Sequence, residues 1–117
     1  MMHHISVPKW ALSVLNNLYD IEKKLRVNGD TGNIKRNIDR MKDLLSEEKL
    51  FFEDPYGEKF SETRTDLDAT ITGEGVDNLF VVEVIKPIIR YGDTDYSVVV
   101  QKGIVVVQSN GQVSEQE

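Results

Sequence analysis

The 117-residue sequence contains no cysteine. That excludes a disulfide framework, a thiolate nucleophile and any cysteine-ligated metal, and it fits a reducing compartment. Long apolar runs are also missing. No stretch approaches the ~20 apolar residues needed to cross a bilayer, and the opening MMHHISVPKW lacks the basic-then-apolar plan of a signal peptide. The expectation is therefore a soluble, cytoplasmic protein without a membrane partner. Histidine is scarce: His3 and His4 are the two in the chain. They are either native or the remnant of an added tag, and a pair at a frayed terminus has too few ligands for a metal site.

Apolar residues make up 39% of the chain, slightly low for a globule of this length, so one modest core is what it can bury. The helical and β halves then each need support, which self-association supplies. The net charge of −6 is unevenly spread. Residues 1–50 carry nine Lys/Arg against seven Asp/Glu, whereas residues 51–117 carry five against thirteen. Nucleic acid is a poor partner for such a chain, because phosphate binding needs a concentrated basic face.

What the sequence does have begins at Pro8, a residue suited to a first helical turn, with Ser6 ahead of it as a possible cap. Ala11, Val14, Leu18, Ile21 and Leu25 follow at steps of three and four, the spacing of an apolar seam that faces another helix. Trp10, Leu12 and Leu15 widen the seam to bundle width. Asn28-Gly29-Asp30-Thr31-Gly32 ends this helix, with Gly29 placed for a left-handed backbone. A second helix is expected from Thr31–Asn33, with Ile34, Ile38, Met41 and Leu45 in its seam, Leu44 beside them and Leu50–Phe52 near its end. Two helices joined by a short polar turn read as an antiparallel hairpin. A hairpin alone leaves its seam uncovered, and two-fold pairing turns it into a four-helix bundle, so the sequence predicts a homodimer.

Pro55 and Gly57 break the helical pattern and mark a boundary. Beyond it, Leu67, Ala69 and Ile71 alternate with Asp66, Asp68 and Thr70 as in a half-exposed strand. Residues 73–78 form a loop. From Leu79 to Val107 the Val- and Ile-rich run, interrupted at Tyr91–Asp95 and Lys102-Gly103, reads as antiparallel strands, with Pro87 at a bulge or edge. The predicted architecture is α+β: a helical hairpin over 8–53 for dimerisation, a small antiparallel β domain over 54–108, and a disordered tail over 109–117.

Few residues suggest chemistry. Asp66 and Asp68 on one strand face are a candidate cation site or acid/base pair, but hard cations want more oxygens than two carboxylates bring, and a solvated strand face is the better reading. Asp93 and Asp95 suit a turn through local hydrogen bonding. No GxGxxG, no GxxxxGK and no Gly-x-Ser-x-Gly elbow occurs. Neither a catalytic residue nor a metal or cofactor site is expected, and what remains is a surface that binds another molecule.

The order of features resembles the GrpE family, the nucleotide exchange factors of DnaK-type chaperones. Ala11-Leu12-Ser13-Val14-Leu15-Asn16-Asn17-Leu18 is similar to that family's first bundle helix and Met41-Lys42-Asp43-Leu44-Leu45 to its second. Asp54-Pro55-Tyr56-Gly57-Glu58-Lys59-Phe60 looks like the joint into the β domain. Val81–Pro87 and Gly103–Val107 look like strands of that domain. The likeness covers roughly residues 10–107. Three features depart from it. The family's long pairing helix has no counterpart, the hairpin from Tyr91 to Tyr96 is longer than the family's tight turn, and the basic Arg-x-[LI]-Arg-Pro-Ala strand is replaced by Val98–Gly103. The resemblance implies a co-chaperone that binds the ATPase domain of a DnaK-type chaperone and promotes ADP release, with Lys86, Arg90, Val98, Gln101, Lys102 and Ile104 as candidate contacts. The departures raise a second reading, a dimeric adaptor of the same fold without exchange activity.

Overall fold

The structure, a computed structural model, describes residues 6–109; His3, His4 and residues 110–117 of the expected tail lie outside them. It is an α+β protein with two helices, α1 (Lys9–Asn28) and α2 (Lys35–Glu47), and seven strands: β1 (Leu50–Glu53), β2 (Lys59–Phe60), β3 (Leu67–Thr72), β4 (Leu79–Lys86), β5 (Ile88–Gly92), β6 (Ser97–Gln101) and β7 (Gly103–Ser109). The strands form two sheets, ordered β1-β5-β6 and β2-β4-β7-β3. Among the described residues two compact units result, one made of residues 6–52 together with Ile89–Val100, the other of Glu53–Ile88 together with residues 101–109. The single division expected between residues 53 and 54 would have kept 54–108 together, whereas Ile89–Val100 cluster with the helices.

In the first unit, α1 starts without a side-chain cap. Pro8 holds the capping position, with its carbonyl accepting from the Ala11 N–H at 3.0 Å, and Ser6 does not serve there. The helix ends at Gly29, whose φ of +86° an L side chain resists and whose N–H returns to the Leu25 carbonyl at 2.8 Å. Asp30 then prepares α2, its carboxylate accepting from the N–H groups of Ile34 and Lys35 at 2.7 and 2.8 Å. The second helix thus begins two residues beyond the expected start. It stops at Glu47 because Lys49 turns the chain with a positive φ of 69°, so Leu50–Phe52 are strand and not the helix end foreseen.

The core of this unit joins Ala11 and Leu15 of α1 to Leu50 of β1 and Ile89 of β5, with Leu12, Leu45, Phe52 and Val100 packed around them. Tyr19 meets Phe52 edge to face at 5.7 Å. The buried stripe of α1 is consequently Ala11, Leu15, Leu18, Tyr19 and Glu22, while Val14 and Ile21 of the expected seam stay exposed. The helix covers its own sheet with one flank and leaves the other uncovered. On α2, Ile38 is buried and Leu45 half-buried, but Ile34, Met41 and Leu44 are exposed. Glu22 is only 7% exposed and is held by Lys42 at 3.1 Å and Lys35 at 3.6 Å, which ties the two helices together. The Lys42 ammonium also lies 4.9 Å from the Phe52 ring centre.

In the second unit, β4 and β7 pair antiparallel with register shifts between Val81 and Glu83 and between Val84 and Lys86. β3 runs parallel to β7, Leu67 opposite Gly103 and Thr72 opposite Gln108. The expected module was antiparallel throughout. The difference arises because the loop at 73–78 carries the chain from β3 past one strand position, which β7 later fills. Leu67, Leu79, Val81, Val84, Val105 and Val107 form the buried face. Gly103 is required in that face, since a Cβ there would stand 2.9 Å from Leu67 Cδ2 and 3.0 Å from Ile88 Cγ1. Pro87 is fully buried between β4 and β5, at the point where the chain leaves one sheet for the other, and its carbonyl accepts from Gln101 Nε2 at 3.1 Å. It ends a strand, where a bulge or edge had been expected.

Candidate functional site

The two aspartates that suggested a cation site do not converge. Asp66 precedes β3 and is taken by Arg64, whose Nε and Nη2 donate to its two carboxylate oxygens at 3.0 and 2.9 Å. Arg64 also reaches Glu58 and the Lys59 carbonyl. This fork, hydrogen-bonded first to Asp66, raises the already high pKa of the guanidinium further. Asp68 lies on β3 with the Lys102 ammonium 3.8 Å away. Among the described residues no group of three or more His, Asp or Glu side chains is placed to hold a metal ion, and no helix is long and apolar enough to cross a membrane.

The candidate contacts carried over from the family likeness separate into two sets. Lys86, Gln101, Lys102 and Ile104 belong to the four-stranded unit, and Arg90 and Val98 to the helical one. On the open face of the four-stranded sheet Ile104 stands opposite Asp68 on one side and Lys86 on the other, all three exposed, which makes a short row of mixed charge flanking an apolar centre. Gln101 is engaged with the Pro87 carbonyl. In the helical unit Arg90 Nη1 points at Ser97 Oγ from 3.5 Å, and Val98 is half-buried.

The candidate dimerisation residues divide as well. Ala11, Leu18 and Ile38 are buried, and Leu25 and Leu45 are half-buried. Val14, Ile21, Ile34 and Met41 are exposed, with Leu44 beside them. Two pairs are spaced by seven residues, Val14 with Ile21 on α1 and Ile34, at the capping position of α2, with Met41 within that helix, so each pair keeps to one side over two turns.

The helical unit also carries two clefts that meet at one side chain. The first, about 280 Å³, is walled by Val7, Pro8, Trp10, Leu45, Glu48 and Tyr91 among others. The second, about 250 Å³, is lined by Lys49, Tyr91, Gly92, Asp93, Tyr96 and Val98. Tyr91 belongs to both. Its two aromatic companions are largely open to solvent, Trp10 at 64% and Tyr96 at 79%. The floor of the second cleft is fixed by short contacts: the Gly92 N–H donates to the Lys49 carbonyl at 2.8 Å, and the Lys49 ammonium holds Asp93 at 2.7 Å. That hydrogen bond to Asp93 raises the Lys49 pKa above its ordinary 10.5. Sequence reasoning assigned Trp10 to the helix seam and Tyr91–Tyr96 to a turn. The available signal was two tyrosines bracketing a four-residue turn, Gly92–Asp95, where turn chemistry asks for small polar residues and not aromatics.

Comparison of the chain with protein-family models, with curated proteins and with solved structures finds no match.

Proposed function

We propose that this protein is a homodimeric protein-interaction module, in which the helix pair joins two copies as a four-helix bundle and the sheets present surfaces to a partner. The observation that carries the reading is the exposed apolar flank of the helices, Val14 and Ile21 on α1 with Ile34, Met41 and Leu44 on α2. Five large apolar side chains left exposed on one pair of helices support an interaction site there. A second copy is the occupant that the spacing favours, because seven-residue steps on two antiparallel helices meet the same steps on a symmetry mate. The flank facing the three-stranded sheet is already used, so the interface is narrower than a bundle built on the whole seam. Sedimentation equilibrium tests this directly. A dimer is expected, with the double variant Val14→Asp, Met41→Asp becoming a folded monomer; a wild-type monomer at tens of micromolar, about the working range of a weak dimer, would dispose of the reading.

The more specific form of the proposal is the activity implied by the resemblance to GrpE: binding the ATPase domain of a DnaK-type chaperone in its open state and so speeding ADP release. Its support is the ordered set of motifs and the exposed row of Lys86 and Ile104 with Lys102 close by on the same unit. The factor would make and break no bond. Release of labelled ADP from the host's DnaK-type chaperone, followed by stopped flow, is expected to accelerate with added protein and to lose that acceleration in Lys86→Glu, Lys102→Glu. An unchanged release rate at saturating protein leaves the adaptor reading alone standing.

A further inference from the structure

We infer that the paired clefts around Tyr91 bind an extended proline-rich segment carrying a basic residue, a polyproline-II peptide of another protein. The clefts are too small for a typical small-molecule site: about 280 and 250 Å³ fall below the roughly 300 Å³ at which such sites begin. They share Tyr91 in their linings, and each adds a second aromatic side chain, Trp10 in the first and Tyr96 in the second. Three aromatic faces around two shallow depressions are the surface on which proline rings pack, because a polyproline-II helix presents its rings in a regular, preformed array and loses little entropy on docking.

The polar groups agree. A polyproline-II backbone has no internal hydrogen bonds and offers free carbonyl acceptors. The Trp10 indole N–H and the hydroxyls of Tyr91 and Tyr96 are donors that match them. Charge selects the flanking residue. Glu48 stands in the wall of the first cleft with no basic residue among that cleft's lining, and in the second the one cation, Lys49, is neutralised by Asp93. Asp95 adds a further carboxylate at the exposed hairpin tip. The groove is therefore acidic overall, which favours an arginine or lysine next to the prolines and disfavours an acidic peptide.

Trp10 is the only tryptophan of the chain, so its fluorescence reports on the first cleft. The probe is a nine-residue peptide with two proline pairs and one terminal arginine, titrated into the full chain and followed both by tryptophan emission and by anisotropy of a dye on the peptide. Saturable binding with a shift in Trp10 emission is expected. Tyr96→Ala, at a side chain too exposed to support the fold, should weaken binding about tenfold, the loss typical of an aromatic anchor. Trp10→Ala, followed by anisotropy, should do the same. Replacing the prolines by alanine should abolish binding, and exchanging arginine for glutamate should weaken it, a difference that shrinks between about 50 and about 500 mM salt. The inference is overturned if the alanine peptide binds equally well, if Tyr96→Ala leaves affinity unchanged in a variant with the wild-type circular dichroism, or if no peptide moves either signal.

Discussion

Lys49 concentrates three constraints at the turn from α2 into β1: a positive φ of 69°, a carbonyl that accepts from Gly92, and an ammonium bound to Asp93. Its neighbour across the hydrogen bond has no freedom either, since a side chain at Gly92, with φ of +137°, would run into the Tyr96 carbonyl. The ion pair is solvent-exposed, so its net worth to stability is small, but its effect on the proton is measurable. Asp93 lifts Lys49 above 10.5, first by hydrogen bonding and then by charge. A lysine raised in the folded state contributes stability that is complete below its unfolded value and fades as pH rises through the folded one. Lys35 is raised in the same direction through Asp39, whose own carboxyl is lowered from 3.8 by Lys35 and so loses its contribution only as pH falls through that lower value. Carbon-13 NMR titration of the lysine side chains should show Lys49 titrating above its ordinary 10.5. Asp93→Asn should lower it, and an unmoved titration would mean that the contact is not populated in solution.

At the scale of elements, the helices were largely legible and the strands only as strands. The seam of α1 predicted a helix from Pro8 to Gly29, and the helix runs from Lys9 to Asn28. What periodicity left open was which flank of that helix meets its own sheet. The steps Ala11, Val14, Leu18, Ile21 and Ala11, Leu15, Leu18, Glu22 fit the helical period equally well, and choosing between them needs Leu50 and Ile89, residues distant in sequence. The same non-locality hid the parallel pairing of β3 with β7, because alternation reports a strand's faces and is silent about its neighbours. Leu50–Phe52 continued an apolar pattern that local reading extends as helix; the positive φ at Lys49 that ends it carries no mark of glycine or asparagine. The start of α2 shows the opposite case, where a visible residue acts from an unexpected distance. Asp30 caps N–H groups four and five residues ahead. Asp30→Ala should therefore cost about 1 kcal/mol of stability, within the 0.5–2 kcal/mol range for lost caps, as a drop in urea midpoint without change in slope. Asp30→Asn should recover part of the loss, since its amide oxygen still accepts.

At the scale of the molecule, the chain crosses between its two units where β1 ends, where β5 begins and where β6 ends, and the middle segment makes the helical unit complete. Ile89 is fully buried, and Val100 packs against the same cluster of Ala11, Leu15 and Leu50. Without Ile89–Val100, β1 has no strand to pair with, since β5 lies between it and β6. The sequence suggested that residues 8–53 would stand as a dimerising hairpin on their own. The packing of Ala11 and Leu15 with Ile89 of β5 and Val100 of β6 argues otherwise: removing those two strands exposes much of the inner flank of α1 as well as the outer one. A fragment ending at Glu53 is thus expected to lack a cooperative thermal transition and to show weak, noncooperative helicity, because isolated helices of this length are marginal in water. Adding a synthetic peptide of residues 88–101 in excess should restore part of the transition by mass action. A fragment 1–53 that melts cooperatively by itself, at a temperature that rises with its own concentration, would show that self-pairing of the helices replaces the sheet. The helical half would then be an autonomous dimer and the β5-β6 hairpin a late addition to its surface.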